Sequence, residues 1–148
     1  MSLITEALLV LASAFSLVLG QNTISIQVGS FYTPNFIAAR NGDIVEFMFT
    51  FGTHSVTQST FDNPCTQAQG GFSSGLTAGF AANDTFSSPT WALTVTNESE
   101  PIYFYCQAMI PAFHCSSGMV GAINAPADQF SSFSAAAKAL TSTPARRQ

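Results

Sequence analysis

The run DIVEFMFTF at positions 43–51 puts Val45, Phe47, Phe49 and Phe51 on one side of an extended chain and Glu46 and Met48 on the other. A period of two does not suit a helix, and a face of large aromatic side chains needs a second apolar surface to pack against. Three further runs repeat the pattern: Ile24, Ile26 and Val28 in TISIQVG; Trp91, Leu93 and Val95 in TWALTVTN; Ile102, Phe104 and Cys106 in PIYFYC. Each has the length of a strand and is rich in β-branched or aromatic residues. RNGD at 40–43 supplies a turn, because Asn-Gly tolerates positive φ. Short strands between turn signals, with almost no helical periodicity, predict an all-β fold: two sheets packed as a sandwich or closed as a barrel. The stretch CTQAQGGFSSGLTAGFAAND at 65–84 reads as a long Gly/Ser-rich loop rather than core.

Composition sets the surroundings of that fold. Residues 1–20 read as a signal peptide. Ala7 to Leu19 is apolar but short for a membrane span, and Gly20 is small enough to precede a cleavage point. The segment lacks Lys and Arg near its start, and a retained anchor is the alternative reading. The mature chain is then expected to begin at Gln21, soluble, secreted, monomeric and without a transmembrane anchor. Charged residues make up 8% of the chain and the net charge is −4, which argues against nucleic acid or an anionic membrane as partner. A surface so poor in charge fits a glycoprotein, and Asn83-Asp-Thr and Asn97-Glu-Ser are two acceptor sequons. Residues 21–125 form the expected domain. Residues 126–148 are a Ser/Ala/Thr-rich tail, read either as a short helix from Gln129 to Leu140 or as a loose O-glycosylated segment, and they lack the hydrophobic tail of a glycolipid-anchor signal.

The chemistry is concentrated in few residues. There are three cysteines, so in an oxidising compartment one thiol is left over, and an idle thiol there is a liability. There are two histidines, His54 and His114, each unremarkable by itself. Between residues 101 and 124 the chain places Cys106, His114, Cys115 and Met119 around the end of one strand and the start of the next. Two imidazoles, a thiolate and a weak axial thioether are the ligand set of a blue-copper site, whereas zinc more often takes four firm ligands. The alternative is a disulfide from Cys65 to Cys106, with Cys115 as the odd thiol and no metal.

HSVTQSTFDNPC, followed by YFYC and then HCSSGMV, resembles the cupredoxins, in particular the phytocyanin branch and its secreted fungal relatives. The resemblance runs from about Ile24 to Asn124 and implies a Greek-key β-sandwich of seven or eight strands. Carried over residue by residue, it implies copper ligands at His54, Cys106, His114 and Met119, and a disulfide between Cys65 and Cys115. Ser55, next to the first ligand, falls where relatives use a polar side chain to tie two ligand loops together. One departure stands out. Seven residues separate Cys106 from His114, where the family usually has four, and a longer loop still closes at small entropic cost. Met109, Ile110, Pro111 and Phe113 lie in that loop, so an apolar rim is expected around His114, with Phe51, Phe104 and Phe113 as outer neighbours of the site.

What this implies is a one-electron carrier with a single type-1 copper, meeting an unidentified redox partner near His114. The alternative is an extracellular copper-capture protein or cell-wall glycoprotein on the same scaffold. Enzymatic catalysis is not expected, since a four-ligand site has no open position and both histidines are already used.

Overall fold

The computed structural model describes residues 21–83 and 85–140. The expected signal peptide at 1–20 and the last eight residues of the tail lie outside them. Ten strands follow in order: β1 (Thr23–Val28), β2 (Tyr32–Thr33), β3 (Phe36–Ile37), β4 (Ile44–Phe49), β5 (Gly52–His54), β6 (Thr57–Ser59), β7 (Thr77–Gly79), β8 (Thr90–Thr94), β9 (Ile102–Tyr105) and β10 (Val120–Ile123). One sheet has the order β2-β1-β4-β8 and the other β3-β10-β9-β6, while β5 and β7 pair as a separate ribbon. The chain crosses repeatedly between the sheets, in a Greek-key-like sandwich with parallel pairs β1–β4 and β3–β10. The eight strands of the two sheets match the expected number; the ribbon is additional.

The alternating runs account for the core. Ile26, Val28, Val45, Phe47 and Phe49 from the first sheet meet Phe104, Cys106 and Ile123 from the second in one buried cluster. Phe51 departs from the pattern. The strand stops at Phe49, the backbone turns through Gly52 at positive φ, and Phe51 ends 68% exposed instead of facing the core. The Gly/Ser-rich stretch also departs in part, because it contributes β7 and packs Phe72 against Trp91.

The second sheet is buried on both faces. Helix α1 (Ala127–Ala139) lies on its outer side, starting two residues before the expected Gln129, and Phe133 and Ala137 pack there against Tyr103, Tyr105, Val120 and Ala122. Asp128 in its first turn and Lys138 in its last complement the helix dipole.

Gly121 is needed where the two faces are tightest. A Cβ there would sit 2.3 and 2.4 Å from ring carbons of the fully buried Phe104 and 2.9 Å from the Asn35 carbonyl. Gly121→Ala is therefore expected to cost about 1–3 kcal/mol through overpacking, read as a lowered midpoint in thermal or denaturant unfolding. An unchanged midpoint would show that this part of the sandwich is loosely packed.

Candidate metal centre

Three donors converge at one end of the sandwich. His54 closes β5, Cys106 follows directly on β9, and His114 comes from the loop between β9 and β10. His54 Nδ1 and His114 Nδ1 are 3.1 Å apart, and Cys106 Sγ lies 3.7 Å from the first and 3.5 Å from the second. A triangle with those sides has a circumradius of about 2.0 Å, close to the bond lengths imidazole and thiolate make to a small divalent metal, about 2.0–2.3 Å.

The protons favour a cation as well. His114 Nε2 is 2.9 Å from the Ile110 carbonyl, which can only accept, so a neutral ring carries its proton on Nε2 and presents a lone pair at Nδ1. Burial, followed by the proximity of His114, disfavours protonated His54, whose Nδ1 faces the His114 Nδ1 lone pair across 3.1 Å. Burial also pushes the Cys106 thiol up, opposed by the Ser55 and Ala108 amides and the Ser55 side chain. Thiolate is costly here unless positive charge comes close. The donor set thus fits a metal better than it fits an empty protein interior.

The other sequence candidates are placed around these three. Cys65 and Cys115 form a disulfide and Cys106 is the free cysteine, so the alternative pairing of Cys65 with Cys106 is not found. Met119 is buried and bonded through its backbone to both neighbours: its carbonyl accepts from Cys106 N at 3.1 Å and its amide donates to His114 O at 2.9 Å. Ser55 Oγ accepts from Gln107 N at 2.9 Å, joining the His54 segment to the residue after Cys106, and its own amide donates to Cys106 Sγ at 3.4 Å. Phe104 lies in the core between the sheets, with Tyr32 and Phe47. Phe113 does not line the site's cavity. It packs with Cys65 and Cys115 in the second cluster, under α1. Asn83 and Asn97 are both exposed.

Above the donors lies an open bowl of about 660 Å³. Phe31, Phe51, Leu76, Met109, Ile110 and Pro111 contribute apolar lining around His54, His114 and Met119, and among the described residues no Asp, Glu, Lys or Arg lines it. Ile110 is 85% exposed, so the loop of extra length supplies the rim.

Two participants escape a reading by residue type. The Ala108 amide and the Ile110 carbonyl act through the backbone, which no side-chain pattern encodes. Gly52 left a signal. A glycine within a strand-like run often marks close backbone approach, and a Cβ here would lie 2.8 Å from His54 Nε2.

No protein-family model matches the chain. Two curated proteins of Arthroderma benhamiae are similar to it. One, named "Probable GPI-anchored cupredoxin-1", is 36% identical over 98 residues, which are 66% of this chain and 46% of that protein. The other, named "Extracellular serine-rich protein", is 33% identical over 121 residues, 78% of this chain and 44% of that protein. The chain therefore spans less than half the length of either relative. Among solved structures, dithionite-reduced auracyanin from Roseiflexus castenholzii aligns with a TM-score of 0.48 and 18% identity, covering 72% of this chain and 100% of that one. By sequence, the chain is related to a fungal protein that bears the cupredoxin name.

Proposed function

We propose that this is a secreted cupredoxin-type protein, of the phytocyanin-like branch, that holds one type-1 copper ion between His54, Cys106, His114 and Met119 and carries one electron. The observation behind it is the triangle of His54 Nδ1, Cys106 Sγ and His114 Nδ1, with a shared centre at metal-bond distance and a sulfur kept out of any disulfide. Copper in such a set supplies one-electron chemistry with little rearrangement, because thiolate, imidazole and thioether accommodate both oxidation states.

The rest is the work of the chain. The Ser55 and Ala108 amides stabilise the thiolate, the Ile110 carbonyl fixes the tautomer of His114, and the Ser55 hydroxyl holds the two ligand segments in register. The half-buried His114 at the base of the bowl is the shortest route for an electron to a redox partner, and an uncharged rim selects an apolar docking face on that partner. With four ligands in place no position is left for a substrate, so the role is transfer rather than catalysis.

The domain reading belongs to the same proposal: a leader at 1–20, the copper domain at 21–125, and a tail at 126–148 whose helix braces the second sheet. An extracellular location is supported by the leader-like segment, by exposed sequons at Asn83 and Asn97, and by the names of the two relatives. Among the described residues no helix is long and apolar enough to cross a membrane.

Titration with Cu(II) tests the function. An intense visible sulfur-to-copper charge-transfer band should grow in and saturate at equimolar metal. Saturation without colour would rule out a thiolate-bound type-1 site.

A further inference from the structure

We propose that Thr57 is a positioning residue for the Cys106 sulfur, acting through a line of three hydroxyls, Ser55, Thr57 and Ser73. The inference deepens the copper reading and rests on it for its redox consequence. Ser55 and Thr57 have no exposed surface, while Ser73 is exposed. Thr57 Oγ1 lies 3.0 Å from Ser55 Oγ and 3.1 Å from Ser73 Oγ. At the inner end, Ser55 Oγ accepts from the Gln107 amide at 2.9 Å, and the Ser55 amide donates to the sulfur at 3.4 Å. At the outer end, Ser73 Oγ accepts from the Gly75 amide at 3.1 Å.

Each hydroxyl has one proton to give. Thr57 is buried and its hydroxyl is bonded to these two neighbours, so it accepts from one and donates to the other. The three protons then point the same way, either outward to solvent at Ser73 or inward to the Cys106 end of the line. Successive bonds of one sense polarise and strengthen one another. In the inward sense Ser73 Oγ accepts from the Gly75 amide and gives its proton to Thr57, and this is the sense we propose. Reduction of the site places more negative charge on the thiolate, so an inward line stabilises the reduced state. The Thr57 hydroxyl bonds to Ser55 and Ser73 rather than to a proposed ligand, and so fixes the direction and position of the Ser55 hydroxyl. A valine of the same shape would fill the space without bridging it.

The experiment uses Thr57→Val, Thr57→Ser and Ser73→Ala beside the wild type, with two readouts. On copper-loaded protein, Thr57→Val should lower the reduction potential and shift the charge-transfer band at unchanged metal content, and Thr57→Ser should restore both. On metal-free protein, exchange of the Gln107 amide should quicken in Thr57→Val by about five- to tenfold, the worth of one weakened hydrogen bond, while amides of β1 and β4 stay protected. If Thr57→Val does not fold, Ser73→Ala removes the outer hydroxyl and should move both readouts the same way, by less. Potential, band and amide exchange all at wild-type values would overturn the proposal. A colourless wild type would instead defeat the copper reading, and the metal-free exchange would still decide whether the line positions its neighbours.

Discussion

Cys106→Ser should give a folded protein that copper leaves colourless. The substitution exchanges a buried sulfur for a smaller oxygen in a place already supplied with a donor, the Ser55 amide, so the hydroxyl is not stranded. No cross-link is lost, because Cys106 takes part in none. Stability should therefore change by about 1–2 kcal/mol at most, within the ordinary range for a conservative core change. The effect on metal is of another order. A neutral hydroxyl replaces the one soft, anionic donor among the four, and the two imidazoles are left to hold the ion with a thioether. Affinity should fall by well over the ~10–100-fold that follows loss of a mere supporting partner, and the charge-transfer band should vanish since no sulfur remains to give it. Calorimetric titration and absorption spectra of wild type and variant, compared after thermal unfolding has shown both folded, measure this. Retained colour, or equal affinity, would mean that the sulfur is a bystander and that the triangle is an accident of packing.

Much of this architecture can be read from side-chain types because it depends on them. The alternation of Val45, Phe47 and Phe49 leaves one acceptable face for β4, and a slip of one residue would bury Glu46 and Met48 instead. His54, Cys106 and His114 were legible because the chain has so few residues of their kinds that each demanded an explanation. Harder to see was whatever depends on backbone direction or on burial from a distant element. Phe51 continues the period of β4 by one step, yet nothing in its type reveals that the chain turns at Gly52 and leaves it in water. Phe113 sits one residue from a ligand and was expected on the rim. The chain around it is bound up in short-range bonds, with the Ser116 and Ser117 hydroxyls and the Ser117 amide all meeting its carbonyl, and Phe113 packs against the second buried cluster instead. The helix from Ala127 has a weak apolar face, Phe133 and Ala137 with Phe130 beside them, and it is buried only because β9 and β10 pair to offer it an apolar surface. Ser55, Thr57 and Ser73 look like ordinary strand and loop hydroxyls until the fold sets them in a row.

Opening the Cys65–Cys115 bridge should produce the opposite phenotype, with a large loss of stability and a site still blue when filled. Cys65 and Cys115 are 50 residues apart, and closing a loop of that size restricts the unfolded chain by about 4 kcal/mol in the entropic account. That is a large share of the roughly 5–15 kcal/mol holding a domain of this kind together. The double variant Cys65→Ala, Cys115→Ala should consequently melt lower by roughly 10–20 °C. Its four proposed metal ligands are chemically unchanged, so the charge-transfer band should appear at the same energy. What should change is retention. Cys115 follows His114 directly and is packed with Phe113 beneath α1, so without the bridge the loop from Gln107 to Gly118 opens more readily and copper should dissociate faster to a chelator. A melting point unchanged by the double substitution would show that the tether does not limit the unfolded chain. A lost band in a variant that still folds would show something more consequential: that the bridge shapes the geometry of the donors themselves, and that the copper site depends on all three cysteines rather than on Cys106 alone.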